Sequence, residues 1–199
     1  MSLKTIQNSY DQVAETYDAN YQKLRYRARS YWVERSLRAA CLGKKVLELG
    51  CGTGRLADAL RRSSEPNYIG IDVSEKMLEH ARRKGHQVVL GNAENLPFTD
   101  ESFEVVAAAK GVFRYLDKSI ALKEVSRVLK KNGTLVVHQY AQETRKLRGR
   151  KSKINSTHLK SHRDYDMVAE RYGLKKVKVE KWRSISFPPY VLPLSLIHI

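Results

Sequence analysis

A glycine-rich segment between a predicted strand and a predicted helix is the part of the sequence best suited to chemistry. It reads Glu48-Leu49-Gly50-Cys51-Gly52-Thr53-Gly54, with glycine at three alternate positions. Such glycines permit a tight turn and let a ligand touch bare backbone. The helix that follows directs its free N–H groups and the positive end of its dipole at the turn, which favours an anion. A carboxylate satisfies that preference as well as a phosphate does.

An acidic residue at the end of the next predicted strand extends this pattern. Asp72 stands where an acid can bind both hydroxyls of a ribose, so a nucleotide-like ligand is expected. A dinucleotide site is the main competing interpretation. It requires the spacing G-x-G-x-x-G, whereas Gly50, Gly52 and Gly54 are spaced G-x-G-x-G, with the acid Glu48 before them. The same residues would also fit a purely structural turn beside a surface aspartate.

Short apolar strands alternate with amphipathic helices in the region that positions these residues. Strands are predicted at 46–49, 67–71, 87–90, 103–109 and 134–140. Each is too short and too uniformly apolar to face water, and helices with one apolar face fall between them. The pattern predicts an α/β fold, with a single-domain, doubly wound, Rossmann-like and mostly parallel sheet that carries helices on both faces.

The composition fits one globular domain with a strongly basic surface. Of 199 residues, 42 % are hydrophobic, and 37 Lys and Arg against 21 Asp and Glu give a net charge of +16. Disorder is excluded, and the length suffices for a sizeable core. No stretch approaches the roughly 20 apolar residues of a membrane helix, and residues 1–10 lack a signal-peptide core. Because Cys41 and Cys51 show no metal or disulfide spacing, we expect a cytoplasmic protein without a bound metal.

Several segments resemble, in chain order, the motifs of the class I S-adenosylmethionine-dependent methyltransferases. Residues 46–54 are similar to motif I of that family. Residues 70–78 resemble its second strand and the following helix, and residues 91–98 resemble its G-D-A-E-x-L-P-F loop. Further similar segments are strand four at 102–106, the helix at 124–130 and the entry to strand five at 133–135. Residues 10–18 are similar to the N-terminal signature of the small-molecule branch, which includes quinone-biosynthesis methyltransferases.

This resemblance implies that S-adenosylmethionine is the cofactor and indicates which residues hold it. Gly50 and Gly52 would let its methionine part lie against the backbone, and Asp72 would hold the ribose hydroxyls. Glu48 would support the loop or reach the amino group through water. Tyr17 would belong to a lid helix, with Tyr10, that keeps water out. The residues implied to contact the cofactor are Tyr17, Glu48, Gly50, Cys51, Gly52, Gly54, Asp72, Val73, Met77, Asn92, Ala93, Glu94 and Lys110.

Two places depart from the family pattern. Asn92 stands where the family usually has Asp, so its side-chain oxygen would bind the adenine amino group without charge assistance. Arg114 and Tyr115 replace two histidines, so no imidazole base is carried over there. The catalytic candidates are Tyr115 and His138, a histidine predicted near the end of strand five. A dedicated base is not always needed, because a sulfonium is already an activated methyl donor.

We divide the chain into a helical lid segment at 1–43, a cofactor-binding core at 44–140, a basic loop, helix and sixth strand at 141–193, and a tail at 194–199. The tail has the sequence obtained by translating a transposon-end adapter used in sequencing libraries. We interpret it as non-native, although a natural apolar tail would have the same composition. The family usually has seven strands and six are counted here, so we expect the last strand to be truncated or missing, which would expose the edge of strand five.

The predicted function is methyl transfer from S-adenosylmethionine to a small-molecule or lipid-like acceptor. The basic run Arg145–Lys153 motivates a competing hypothesis, an RNA methyltransferase, although the run contains no interleaved aromatic residues. A nicotinamide-dependent oxidoreductase and an inactive protein that binds S-adenosylmethionine are two further hypotheses. The sequence does not reveal the acceptor, the methylated atom or the oligomeric state.

Overall fold

The apolar segments of the sequence form the buried strands of a single sheet. In a computed structural model, which describes residues 2–21, 34–35, 37–61, 67–109, 111–138, 169–183 and 191–198, five of its strands run parallel. They are β1 (Val46–Leu49), β2 (Tyr68–Asp72), β3 (Val88–Leu90), β4 (Phe103–Ala108) and β5 (Leu129–His138). The predicted parallel α/β fold is therefore confirmed.

The order of the strands places the glycine-rich loop at the centre of the sheet. The order is β3-β2-β1-β4-β5-β7-β6, so β1 pairs with β2 on one side and with β4 on the other. The direction in which strands are added reverses between β1 and β4. In open α/β sheets, ligands bind at the carboxyl edge beside such a reversal. The loop that follows β1 lies at that point.

The last strand is present, contrary to the expectation that it is truncated or missing. β6 is Lys175–Arg183, and β7 is Val191–His198. β7 lies between β5 and β6, is antiparallel to both, and pairs with β5 from Thr134↔His198 to His138↔Leu194. The outer edge of β5 carries backbone N–H and C=O groups that require partners, and the tail segment supplies them. The non-native origin of residues 194–199 stays a prediction.

The helices begin where the sequence offers side-chain caps. In the described ranges they are α1 (Leu3–Asp11), α2 (Ala14–Tyr21), α3 (Arg55–Arg61), α4 (Glu75–Arg83) and α5 (Lys118–Val128), with a 3₁₀ turn at Val112–Arg114. At the start of α4, the Ser74 hydroxyl accepts a hydrogen bond of 3.2 Å from the Met77 N–H. At the start of α5, the Asp117 carboxylate accepts one of 2.9 Å from the Ser119 N–H. Both residues are of the types that favour the N-cap position of a helix.

Alternation along the strands divides the core between the two faces of the sheet. Leu47 belongs to one hydrophobic cluster, together with Leu122 of α5. Its neighbour Val46 belongs to a second cluster, together with Leu56 of α3. Because successive side chains of a strand point to opposite faces, the two clusters lie on opposite sides of the sheet. Helix α5 therefore covers one face and helix α3 the other, as the doubly wound prediction requires.

The two N-terminal helices pack against α4, beside the carboxyl edge of the sheet. The Ser74 hydroxyl donates a hydrogen bond of 2.5 Å to Oδ1 of Asp11, which ties the end of α1 to the start of α4. Ile6 of α1 is buried. The helices that the structure describes are all too short or too polar to span a lipid bilayer.

Candidate functional site

The glycine-rich loop between β1 and α3 has a left-handed backbone at all three glycines. The φ angle is +65° at Gly50, +54° at Gly52 and +78° at Gly54. A Cβ atom added at Gly50 would lie 2.6 Å from Cγ2 of Val112, so close packing requires glycine there. A Cβ atom added at Gly52 would meet nothing within 4 Å. The space beside Gly52 is therefore available to a ligand.

Asp72, the last residue of β2, is hydrogen-bonded to this loop. Its Oδ2 accepts from the Gly52 N–H at 2.8 Å, and its Oδ1 accepts from the Ser74 N–H at 3.0 Å. Burial raises the pKa of this carboxyl above its ordinary value, and the two N–H donors oppose the rise. The carboxyl group is thus held in one orientation at the edge of the loop.

A cleft of about 1100 Å³, a volume that includes its open mouth, lies at this edge of the sheet. The loop after β1, Asp72 and residues 91–94 after β3 contribute lining residues from the sheet. The helices α1 and α2 contribute Leu3, Ile6, Tyr10 and Tyr17. The N-terminal helices therefore form part of the wall of a cleft at the carboxyl edge of the sheet, where ligands bind in α/β folds.

Most residues implied to contact the cofactor line this one cleft. They come from α2, from the ends of β1, β2 and β3, and from α4. The fold therefore assembles groups that are widely separated in the sequence. They are Tyr17, Glu48, Gly50, Cys51, Gly52, Asp72, Val73, Met77, Asn92, Ala93 and Glu94.

Two predicted contacts are not placed in the cleft. Gly54 is not among the lining residues, and a Cβ atom added there would collide with the imidazole ring of His86. Its role is to let the loop pack on the domain. Lys110 lies outside the described residues, and so does the basic run Arg145–Lys153.

The two catalytic candidates occupy different environments. Tyr115 lines the cleft. His138, at the end of β5, is 2 % exposed and is not among the lining residues. Its position along the strand suits a site at the carboxyl edge, but its side chain is enclosed by the core. The structure therefore brings Tyr115 to the site and does not bring His138 there.

The loop after β3 is ordered by its own side chains. Oδ1 of Asn92 accepts from the Glu94 N–H at 3.0 Å, and Oε1 of Glu94 accepts from the Asp117 N–H at 2.6 Å. The Asn92 oxygen, which the resemblance assigns to the adenine amino group, is thus already engaged within the loop. An amide oxygen has two lone pairs, so it retains the capacity to accept a second hydrogen bond.

Tyr10, Tyr17 and Tyr115 form an aromatic wall of the cleft. The Tyr10 ring lies edge-on to those of Tyr17 and Tyr115, with centroids 6.5 Å and 6.0 Å away. The Tyr10 hydroxyl donates to the Tyr115 oxygen at 3.2 Å, and Nη2 of Arg114 donates to the same oxygen at 2.6 Å. Burial raises the pKa of Tyr10 and of Tyr17, so both phenols are neutral at ordinary pH. The wall is apolar apart from its hydroxyl groups.

A set of polar contacts that the sequence did not indicate joins α2, part of the expected lid segment, to the loop. The Thr53 hydroxyl donates to Oδ1 of Asp18 at 2.6 Å. Nζ of Lys84 donates to Oδ2 of Asp18 at 2.7 Å and to the Thr53 carbonyl at 2.9 Å. Burial acts to raise the pKa of Asp18, but these donors outweigh it and hold that pKa below its ordinary value. We call Asp18, Thr53 and Lys84 the lid latch.

Known proteins share both the sequence and the fold of this region. A family model described as "Methyltransferase domain" matches residues 47–137. A demethylmenaquinone methyltransferase from Thermotoga maritima is 38 % identical over 133 residues, which cover 64 % of this chain and 58 % of that protein. A demethylmenaquinone methyltransferase from Chlorobaculum parvum is 36 % identical over 140 residues, which cover 66 % of this chain and 58 % of that protein.

A solved structure agrees with these matches. The crystal structure of an S-adenosylmethionine-dependent methyltransferase from Thermotoga maritima has a TM-score of 0.75 and 27 % identity, and covers 96 % of this chain and 97 % of that one. Through residues 47–137, the chain is similar in sequence and in fold to S-adenosylmethionine-dependent methyltransferases. The chain spans less than two thirds of the length of the two curated relatives, namely 58 % of each.

The lining residues of the methyltransferase cleft fit S-adenosylmethionine, the cofactor of this family. The fixed Asp72 carboxyl presents acceptor oxygens of the kind that a ribose diol requires. The open space at Gly52 lets a ligand approach the backbone closely. The cofactor also has an adenine ring, and the ordered loop at 92–94 lies in the same cleft.

Proposed function

We propose that the chain binds S-adenosylmethionine in this cleft and transfers a methyl group to a small aromatic acceptor of the quinol type. The observation that carries this proposal is the pairing of Asp72 with Gly52. The carboxyl group accepts the Gly52 N–H at 2.8 Å, beside the space that a side chain at Gly52 would occupy. The hydrogen-bond acceptors for the ribose hydroxyls and the exposed backbone at Gly52 therefore lie next to each other.

Each part of the cofactor has a matching group in the cleft. Asp72 would bind the ribose hydroxyls, and the backbone at Gly50 and Gly52 would contact the methionine portion. Glu48 would bind the amino group, because a carboxylate favours a cation. Residues 92–94 and Val73 would surround the adenine. When bound, the cofactor supplies a sulfonium that activates its methyl group for transfer.

The lid helices would exclude water and hold the acceptor. Leu3, Ile6 and the aromatic wall present apolar surface to the cleft, and Val112 and Leu116 add to it from the region after β4. A flat aromatic ring packs well against tyrosine rings and aliphatic side chains. The two curated relatives described above are demethylmenaquinone methyltransferases, which supports an acceptor of this kind.

Tyr115 is the side chain that we propose to contact the acceptor. Its hydroxyl group is held by Arg114 at 2.6 Å and by Tyr10 at 3.2 Å, so its position in the cleft is defined. It would orient a hydroxyl group of the acceptor by hydrogen bonding. Orientation alone supplies much of the rate when the methyl donor is already activated.

A cytoplasmic location is part of the proposal. Cys41 and Cys51 are both free and buried, as is usual where thiols stay reduced.

Neither the RNA methyltransferase hypothesis nor the oxidoreductase hypothesis gains support from the relatives that match. The experiments that test the proposal would give a distinct result for each of these two hypotheses.

The direct test is a transfer assay with methyl-labelled S-adenosylmethionine and a water-soluble demethylmenaquinol analogue under reducing conditions. We expect the label to appear in the acceptor, and the Asp72→Asn variant to transfer it at least about fiftyfold more slowly at low cofactor concentration. The matched control is Asp100→Asn, which changes an exposed aspartate outside the cleft and should leave the rate unchanged.

Three outcomes contradict the proposal. Transfer to RNA but to no small aromatic acceptor would favour the RNA methyltransferase. Binding of NAD, and no binding of S-adenosylhomocysteine, would favour the oxidoreductase. Binding of S-adenosylhomocysteine with no transfer to any acceptor tested would favour an inactive cofactor-binding protein.

A further inference from the structure

A buried tyrosine and a buried glutamate form a hydrogen-bonded pair beneath the glycine-rich loop. The Tyr68 hydroxyl donates to Oε2 of Glu48 at 2.5 Å. Tyr68 is 7 % exposed and Glu48 is 3 % exposed. A buried carboxylate is costly unless donors satisfy it, so this contact is a condition for keeping Glu48 charged inside the domain.

A glycine on the neighbouring strand makes the contact geometrically feasible. In the register of β1 and β2, Val46 lies opposite Tyr68, and Glu48 lies opposite Gly70. The Tyr68 side chain must therefore reach diagonally across the position of Gly70. A Cβ atom added at Gly70 would lie 2.8 Å from the Tyr68 hydroxyl oxygen and 2.6 Å from Sγ of Cys51. Because Gly70 has no side chain, there is space for the Tyr68 phenol to extend across it to Glu48.

The electrostatics keep Tyr68 as the donor of this pair. Burial raises the pKa of Tyr68 well above its ordinary value, and the nearby charge of Glu48 raises it further. The phenol therefore stays protonated at ordinary pH. Glu48 lines the cleft, whereas Tyr68 is not among the lining residues. Any effect of Tyr68 on a ligand must then act through its neighbours.

We propose that Tyr68 is a positioning residue for the cofactor, which fixes the Glu48 carboxylate in the orientation that receives the amino group of the methionine portion. This inference rests on the proposed function, because it assigns Glu48 to that amino group. It goes beyond that function because Tyr68 lies outside the cleft. Recognition of the amino acid part of the cofactor would depend on Tyr68 and on Gly70, past which the Tyr68 side chain extends.

The test compares two ligands that differ in the amino acid part. S-Adenosylhomocysteine carries the amino group, whereas 5′-methylthioadenosine has the same nucleoside and lacks the amino acid part. We expect Tyr68→Phe to weaken S-adenosylhomocysteine binding about tenfold, the effect of one hydrogen bond to a charged group, and to change 5′-methylthioadenosine binding by less than about twofold. In the background of Glu48→Gln, Tyr68→Phe should add little.

Matched variants separate positioning from general packing. Tyr172→Phe removes another part-buried tyrosine hydroxyl, which is bonded to Ser119 at 2.8 Å outside the cleft, and should affect neither ligand. Glu48→Gln keeps the volume of the side chain and removes its charge, so it should show the same ligand-selective loss as Tyr68→Phe. It serves as the test if Tyr68→Phe does not fold.

Two results would overturn the inference. Equal weakening of both ligands would assign Tyr68 a packing role, and unchanged binding of both would show that Glu48 needs no positioning. Failure of the proposed function is distinguishable from either, because the unaltered protein would then fail to bind S-adenosylhomocysteine.

Discussion

The Asp18 carboxylate on α2 accepts a hydrogen bond of 2.6 Å from the hydroxyl of Thr53 in the glycine-rich loop. Helix α2 and the loop are thereby joined directly, and Lys84 at the end of α4 contacts both partners. The position of α2 and the loop geometry proposed to bind the cofactor are therefore coupled. A substitution at Asp18 or at Thr53 should therefore alter the geometry of the other residue.

Weakening the lid latch should weaken cofactor binding. Asp18→Asn removes the charge that pairs with Lys84, and since the Asp18 side chain is 37 % exposed we expect only about 1 kcal/mol, or roughly a fivefold weaker binding of S-adenosylhomocysteine. Titration calorimetry measures this. The control is Glu15→Gln on the same helix, where the carboxylate is 77 % exposed and should not matter. Equal affinities for Asp18→Asn and the unaltered protein would show that the latch does not support the site.

The glycine-rich loop offers a test that separates backbone strain from ligand contact. Gly52→Ala and Gly43→Ala both place a side chain at positive φ, +54° and +71°, with nothing within 4 Å of the added atom. Both should therefore lower the free energy of unfolding by about 1–2 kcal/mol. Gly52→Ala should also abolish binding of S-adenosylhomocysteine, whereas Gly43→Ala should preserve it. If both variants retain binding, the space beside Gly52 is not the ligand site.

Much of the glycine-rich loop could be predicted, because the residues that define it lie close together in the sequence. The three glycines and the acid at the end of the second strand each depend on a few neighbouring residues, and so do the helix caps at Ser74 and Asp117. The lid latch could not be predicted, since Asp18, Thr53 and Lys84 meet only after two separate helices and a loop have packed together. The contact of Tyr68 with Glu48 likewise depends on the register between two strands.

Burial and edge pairing account for two features that the sequence did not reveal. His138 stands at the correct end of its strand, but periodicity does not reveal that its side chain is enclosed. In the segment at 191–198, Leu192, Leu194 and Leu196 alternate with Pro193 and Ser195, but this alternation does not reveal which strand the segment pairs with. The open edge of β5 is a property of the assembled sheet, and it is this edge that the segment completes.

The two catalytic candidates should respond differently to substitution. Tyr115→Phe should lower kcat/KM for the acceptor about tenfold and change the affinity for S-adenosylhomocysteine by less than about twofold, because of the two ligands the lost hydroxyl would contact only the acceptor. His138→Asn should lower stability, since the imidazole is buried, while the folded enzyme keeps its kcat. Steady-state kinetics with the quinol analogue checks both. Loss of kcat in His138→Asn alone would reverse the assignment.

The raised pKa of Asp72 predicts a specific dependence of stability on pH. A carboxyl whose pKa is higher in the folded state binds more protons there than in the unfolded chain, so it contributes more favourably to stability as the pH falls through the folded pKa. Asp72→Asn lacks this contribution. Urea unfolding near pH 7 and near pH 4 should show the unaltered protein gaining stability relative to Asp72→Asn at the lower pH. A constant difference between the two proteins would contradict the raised pKa.

The most direct test of the whole account is calorimetric titration of S-adenosylhomocysteine into the unaltered protein and into Asp72→Asn. We expect saturable binding with one site per chain, weakened at least about fiftyfold by the substitution, because a charged acceptor for the two ribose hydroxyls is lost. Asp100→Asn, with its carboxylate 73 % exposed, should bind as the unaltered protein does. An unaltered protein that takes up no ligand, or an Asp72→Asn variant with undiminished affinity, would contradict the account.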